Sequence, residues 1–221
     1  HAMGSANYSD ALKKQLLAAV PPAALAANPN IVPGADIQNI WDAGAWTGGP
    51  IVKNKLWYSV SYHHQGLDQY LLGNYDSDGS QVLDDNLMWT VASKISWQIN
   101  STAQLSYFYN IQYKKIGHRN GGGLFADSAA RNLSEKYPQI NQVKFTKPLS
   151  SHLVIDVSGS SIRTSDNFRP QPEVSPTAIS HYDSVSQTYT VALPNYHDNP
   201  EVRAVFMGSV DYVVGQHDLK T

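Results

Sequence analysis

The sequence predicts an all-β fold: an antiparallel up-and-down meander of about seven to eight long strands, forming a partial or a small closed β-barrel and preceded by one short helix. Three observations support this prediction. After residue 40, apolar and polar side chains alternate with a period of two. Short links alternate with long polar loops, and two neighbouring strands are each about eleven residues long.

The chain divides into three parts. Residues 1–5 resemble a cloning remnant, residues 6–39 form the short helix and a linker, and residues 40–221 form the meander. Residues 218–221 read like the opening of another strand, so we expect the meander to be truncated at its C-terminus.

The helix is expected from Asp10 to Ala19, with Ser9 as its N-cap. Apolar residues recur at spacings of four along this segment, which is the spacing of one helix face. The pair Pro21-Pro22 ends the helix because proline cannot continue the backbone hydrogen bonding.

The strand signal is clearest after the first tight turn and around residue 107. Residues 56–63 place one alternate set, Leu56, Tyr58, Val60 and Tyr62, against a second set, Trp57, Ser59, Ser61 and His63. Residues 103–112 repeat the pattern, with Leu105, Tyr107, Tyr109 and Ile111 against Gln104, Ser106, Asn110 and Gln112. Each strand therefore has one apolar face.

The links segregate by length. Short links lie near residues 52–54, 100–102, 147–151 and 215–217, and long loops are expected at 65–86, 115–139 and 164–200. Strict alternation would place every long loop at one end of the sheet, which is typical of outer-membrane barrels. The alternative is a soluble β-sandwich whose aromatic residues form the core.

The composition excludes several classes of function. A net charge of −2 gives no electrostatic case for nucleic-acid binding. The absence of cysteine excludes disulfides, thiolate metal sites and cysteine nucleophiles. The sequence holds no run of about 18 apolar residues that would form a transmembrane helix. No cofactor is expected.

The segment Trp41–Ile51, WDAGAWTGGPI, followed by KNKLWY at Lys53–Tyr58, resembles the first barrel hairpin of TonB-dependent outer-membrane receptors. The closest likeness is to the group with an N-terminal carboxypeptidase-regulatory-like domain, common in acidobacteria. Ile95–Gln98 resembles the second hairpin of that family, Arg169–Pro176 an extracellular loop and Tyr212–Lys220 a later turn.

The resemblance implies the N-terminal part of a bacterial outer-membrane barrel, with membrane lipid as a partner. It implies transport, namely uptake of a small-molecule or oligosaccharide ligand, with no catalysis by the fragment itself. The plug, the TonB box and the regulatory-like domain of the family are missing, and such receptors close with about 22 strands. We therefore expect open sheet edges, through which a soluble recombinant fragment would form homo-oligomers.

The residues expected to face the ligand occupy the polar positions of the strands. In the parent receptor these side chains would line the barrel interior, whereas in a soluble sheet they would be a solvated face. They are Lys94, Gln98, Gln104, Asn110 and Gln112, together with Asp156.

An enzymatic alternative starts from Gly117–Gly123, which is similar to the His-Gly-Gly-Gly oxyanion loop of esterases. The sequence contains no Gly-x-Ser-x-Gly elbow, so a surface-loop tip is the simpler interpretation. A soluble serine-type hydrolase would have to use His118, Ser158 and Asp156. A third alternative is a soluble β-rich binding or assembly module.

A metal site is not expected. Asp76 and Asp78 lie in YDSDGS, which faintly resembles a calcium loop. The twelfth position, where such a loop needs a bidentate glutamate, is Leu87.

Overall fold

The computed structural model describes residues 9–20, 22–27, 29, 37–75, 80–119, 126–214 and 217–220. The first helix, α1 (Asp10–Ala19), has the expected bounds, and the Ser9 hydroxyl accepts a hydrogen bond from the Leu12 N–H at 3.3 Å. A second short helix, α2 (Pro22–Ala27), follows in the segment that was interpreted as connection. Among the described residues, neither helix is long and apolar enough to cross a membrane.

The strands form one large antiparallel sheet and one small hairpin. In chain order they are β1 (Ile37–Val52), β2 (Leu56–Tyr75), β3 (Gln81–Gln98), β4 (Gln104–Arg119), β5 (Arg131–Glu135), β6 (Gln139–Pro148), β7 (Leu153–Arg169), β8 (His181–Asp183), β9 (Thr188–Thr190), β10 (His197–Val214) and β11 (His217–Lys220).

The large sheet follows chain order from β1 to β11, without β8 and β9, which pair with each other. Strands β5 and β6 both lie between β4 and β7, so they act as one strand interrupted at residues 136–138. The all-β antiparallel meander is thus confirmed. Within the described residues β1 and β11 are the outer strands and do not pair, so this part of the chain is an open sheet.

The first three short links lie where the sequence predicted them, at one end of the sheet, and the fourth, near residues 215–217, falls partly outside the described residues. Asn54 takes a left-handed conformation with φ 58°, which closes the β1–β2 turn. In the β3–β4 turn, the Asn100 side chain accepts from the N–H groups of Thr102 and Ala103, at 3.0 Å and 2.9 Å. We call this end the turn end and the opposite end the loop end.

The predicted long loops are wrong in extent. Strand β2 continues to Tyr75 and β3 begins at Gln81, so much of residues 65–86 is paired strand. The sequence does not reveal this because backbone pairing requires no apolar side chains, and the alternation fades beyond residue 64. Long connections do occur at the loop end, above all residues 170–196, whose regular structure is limited to the small hairpin of β8 and β9.

The register places the apolar side chains of successive strands on one face. Leu56 pairs with Trp97, Trp97 with Leu105, Leu105 with Phe145 and Phe145 with Val157, and paired residues of an antiparallel sheet share a face. We call this the apolar face and the opposite one the polar face. Its other members include Tyr58, Val60, Tyr62, Val91, Ile95, Tyr107, Tyr109, Ile111, Val143, Ile155, Phe206, Val210 and Tyr212.

Nothing in the described part of the chain covers the apolar face. Phe206 is 85% exposed, Val157 52% and Ile95 46%. The buried apolar residues are few and mostly small, and most of them lie near the ends of strands: Val20, Val82, Ala103, Ile116, Ala129, Ala130, Ala192 and Leu193. The sheet is therefore held by its ladders of backbone hydrogen bonds rather than by a core between two layers.

Gly66 on β2 allows the Trp41 ring to lie across the strand. A Cβ atom at Gly66 would stand 2.3 Å from the Trp41 Nε1 atom, whereas one at Gly49 would meet nothing within 4 Å. We expect Gly66→Ala to lower the free energy of unfolding by about 1–3 kcal/mol, because the indole must leave its contact with His64. Urea unfolding checks this, with Gly49→Ala as the matched control. Equal effects of the two substitutions would contradict the packing role of Gly66.

Candidate functional site

The residues predicted to face a ligand do project from one face. Gln98 pairs with Gln104, Lys94 with Phe108, and Asn110 with Ala92, so all lie on the polar face of β3 and β4. Gln112, which pairs with Thr90, continues the same row. Parity alone identifies this face, because residues of equal parity on a strand point the same way.

Gln98 has a structural role at the turn end. Its side-chain amide donates to the Asn100 carbonyl at 2.7 Å and to the Ala103 carbonyl at 3.3 Å. It therefore stabilises the β3–β4 turn. The polar side chains available to a ligand on these strands are accordingly those nearer the loop end, Lys94, Asn110 and Gln112.

Asp156 also lies on the polar face, where its carboxylate accepts a hydrogen bond from the Thr146 hydroxyl and pairs with Lys144 Nζ at 3.3 Å. Both partners come from β6, so this carboxylate links β6 and β7. Its charge is already compensated within the sheet.

The three candidate residues of a serine hydrolase are not brought together. Ser158 pairs with Lys144, which pairs with Ser106 on β4, and His118 lies twelve positions further along β4. At about 3.3 Å per residue, the histidine stands roughly 40 Å from the row that contains Ser158. Asp156 lies near Ser158 and still further from His118, because its row meets β4 at Gln104, so these residues form no catalytic triad.

His118 instead joins three segments at the loop end. Its Nδ1 atom lies 2.9 Å from Asp85 Oδ1 on β3, and its Nε2 atom lies 3.5 Å from Glu173 Oε1 in the long connection. Lys115 Nζ lies 3.7 Å from the other oxygen of Asp85. His118 has a φ of 50°, a conformation that turns the end of β4 away from regular strand geometry.

Gly117 makes this contact possible. Asp85 pairs with Gly117, and a Cβ atom there would stand 2.2 Å from the Asp85 carboxylate. Burial raises the pKa of Asp85, but the hydrogen bond and charge of His118 and the charge of Lys115 outweigh it and leave that pKa below its usual value. The carboxylate therefore stays ionised while it contacts both His118 and Lys115.

A cavity of about 580 Å³ opens at the loop end of β1 to β4. Asp84, only 7% exposed, lines it and binds Arg119 Nη1 at 3.3 Å and the Asn86 amide at 2.9 Å. Further polar groups in its wall are Asp42, Gln65 and Lys114. These amide, carboxylate and ammonium groups offer both donors and acceptors, which suits a ligand rich in hydroxyl groups.

Sequence reasoning missed this cavity. Eight of its fourteen lining residues lie in segments predicted to be loops, and four strands contribute to its wall. The parity of Gln65, Asn86 and Lys114 was a usable signal, because these positions continue the polar face beyond the region of clear alternation.

The two calcium candidates, Asp76 and Asp78, lie outside the described residues. Among the described residues there is no group of three or more His, Cys, Asp or Glu side chains that could hold a metal ion.

Comparison with known proteins adds no family assignment. No protein-family model matches the chain, and neither does any curated protein or solved structure. The functional conclusion therefore depends on the two faces of the sheet and on its loop end.

The contact between Asp85 and His118 predicts a pH dependence of stability. Because folding lowers the pKa of Asp85, its contribution is complete above the carboxyl's unfolded pKa of about 3.9 and is lost as pH falls through the lower folded value. We expect Asp85→Asn to cost about 1 kcal/mol at pH 7 and progressively less towards pH 3. Urea unfolding across this range measures it.

His118→Gln serves as the companion variant, since it removes the principal partner of Asp85 while leaving the carboxylate in place. We expect it to flatten the same part of the pH profile. A pH profile that neither substitution alters would show that the contact contributes nothing to stability.

Proposed function

We propose that this chain forms part of the wall of an outer-membrane β-barrel of the TonB-dependent receptor type, and that it serves ligand uptake rather than catalysis. The observation that carries the proposal is a band of mostly apolar side chains on one face of the sheet, which has the same height on β3, β4 and β10. Polar groups occupy the opposite face and the loop end.

The band has the height of a membrane interior. On the apolar face it runs from Trp97 to Trp89 on β3, from Leu105 to Tyr113 on β4 and from Tyr212 to Ala204 on β10. Eight residue steps at about 3.3 Å give roughly 26 Å along each strand. The apolar band of outer-membrane barrels is about 25 Å tall.

Aromatic side chains border this band. At the loop end, Trp89, Tyr113 and Tyr137 form a cluster with ring centroids 5.9–6.2 Å apart. At the turn end, Trp97 and Tyr212 occupy the corresponding edge. Rings with one apolar and one polar side favour the boundary between lipid and water, which explains their enrichment there in barrels.

The band follows the stagger of the strands. Its upper edge is Tyr113 on β4, whereas on β10 it is Ala204, whose row meets β4 at Tyr109. Such a drift across the hydrogen-bond rows is what tilted strands require if the band is to stay parallel to a membrane plane. A soluble sandwich has no need of it, and its apolar face would have a second layer packed on it.

The polar face then becomes the interior of the barrel. Lys94, Asn110 and Gln112 lead along this face towards the loop-end cavity, where the buried Asp84 and its partners offer a hydroxyl-rich ligand several hydrogen bonds. We assign this path to a small polar molecule or an oligosaccharide.

Tryptophan fluorescence in lipid tests the orientation directly. Trp97 lies on the apolar face, and Trp57, which pairs with the neighbouring Ser96, lies on the polar face. Two variants, each keeping one of these tryptophans with the other four replaced by phenylalanine, are reconstituted in vesicles of phosphatidylcholine brominated near the headgroup end of its chains. We expect strong quenching of Trp97 and little quenching of Trp57. Equal quenching of the two tryptophans, or no quenching of either, would refute the proposal that this chain forms part of a barrel wall.

A substitution series tests the same point by energy. Val60→Arg places a charge at the middle of the band and should cost about 2–4 kcal/mol in lipid. Ser59→Arg, one residue away on the polar face, should cost less than about 0.5 kcal/mol. Urea unfolding from vesicles measures both. In a soluble sheet Val60, 38% exposed, would tolerate arginine as well as Ser59 does.

A further inference from the structure

A cleft of about 550 Å³ lies on the apolar side of the sheet, immediately beyond the band at the loop end. It is separate from the cavity near Asp84, which has none of the same lining residues. Its wall combines rings with cations and small polar groups, chiefly Tyr113, Tyr137, Lys136, Ser165, Asn167 and Arg169.

The interruption between β5 and β6 shapes this cleft. Tyr137 has a φ of 52°, and its N–H bonds to the Glu135 carbonyl at 3.1 Å instead of continuing the ladder. The Lys136 N–H donates to the Ser165 carbonyl of β7 at 3.1 Å, so the segment stays tied to the sheet. Such bulges re-aim side chains, and here Tyr137 joins the aromatic cluster while Lys136 lines the cleft.

The floor of the cleft is fixed by hydrogen bonds. The Ser165 hydroxyl donates to Asn167 Oδ1 at 3.2 Å, and the Asn167 amide donates to the Ser134 carbonyl at 3.3 Å. Arg169 is held by both oxygens of Asp198 at 2.5 Å, which compensates its charge. The shape of the site is therefore set before any ligand arrives.

Two cationic side chains at the loop-end edge of the band lack an ionic partner among the described residues. Lys136 and Arg163 are both exposed, and neither forms a salt bridge with another described residue. Arg163 pairs with Gln139, which places it on the apolar face just above Ser161, at the edge of the band. Two uncompensated positive charges thus stand beside an aromatic border.

We propose that Lys136 and Arg163 bind the phosphate of an anionic lipid headgroup, with the rings of Tyr137 and Tyr113 lying beside the start of the acyl chains. This site depends on the proposed barrel wall, because only then does the cleft open towards lipid at headgroup depth. Cations that border an apolar surface attract anionic lipids, and each contributes about fivefold in membrane affinity.

Vesicle partitioning tests the site. The full chain is titrated with phosphatidylcholine vesicles that contain either no anionic lipid or 20% phosphatidylglycerol, at low salt. We expect tighter partitioning into the anionic vesicles, and a loss of roughly 25-fold of that preference in the double variant Lys136→Gln/Arg163→Gln. The matched control, Lys144→Gln/Arg203→Gln, removes the same charge from the polar face and should keep most of the preference.

The outcomes separate the two proposals. If Trp97 is quenched by brominated lipid but the double variant partitions like the control variant, the proposed barrel wall is supported and the proposed headgroup site is wrong. If no vesicle binds the chain and Trp97 is not quenched, the wall itself fails. Competition by inorganic phosphate, at constant ionic strength set with chloride, would identify a free anion as the ligand and overturn the lipid assignment.

Discussion

The whole structure depends on the registry of one antiparallel ladder. From β1 to β10 each long strand pairs with a neighbour over most of its length, and the pairing keeps one parity of residues on one face. A slip of one residue anywhere would move a complete set of aromatic and aliphatic side chains to the polar face. The register is consequently the feature that separates an apolar face from a polar one.

The loop end adds a second kind of order, built from charges rather than from alternation. Asp85, Lys115, His118 and Glu173 tie β3, β4 and the long connection together, while Arg169 and Asp198 tie β7 to β10. Contacts of this kind are individually weak in water. Together, these contacts hold the strand ends and the connections at the loop end, which lie beyond the apolar band. The cavity and the cleft both lie in this region, so their shapes depend on these ion pairs.

The parts of the structure that could be predicted from sequence are those with local causes. Ser9 and the proline pair were enough to bound α1, and the parity of Lys94, Asn110 and Gln112 was enough to place them on one face. The continuation of β2 to Tyr75 could not be predicted, because residues 65–75 mix polar and apolar side chains without a period of two. The contact of His118 with Asp85 and Glu173 could not be predicted either, because these residues are far apart in the chain. The register brings Asp85 opposite Gly117, and the missing Cβ atom of Gly117 leaves room for the Asp85 carboxylate.

The pairing of β10, the strand next to the short outer strand β11, limits the neighbours it can accept. It pairs with β7 from His197 to Tyr212, but on its other side, among the described residues, it pairs with β11 only from Asp211 to Val214. In the described part of the chain, no strand pairs with the backbone N–H and C=O groups of the preceding β10 residues on that side. A strand that continued the two faces of the sheet there would place apolar side chains opposite Phe206 and Ala204 and polar ones opposite Met207 and Val205. The alternation of side chains along β10 therefore determines which residue types suit a strand that extends the sheet at this edge.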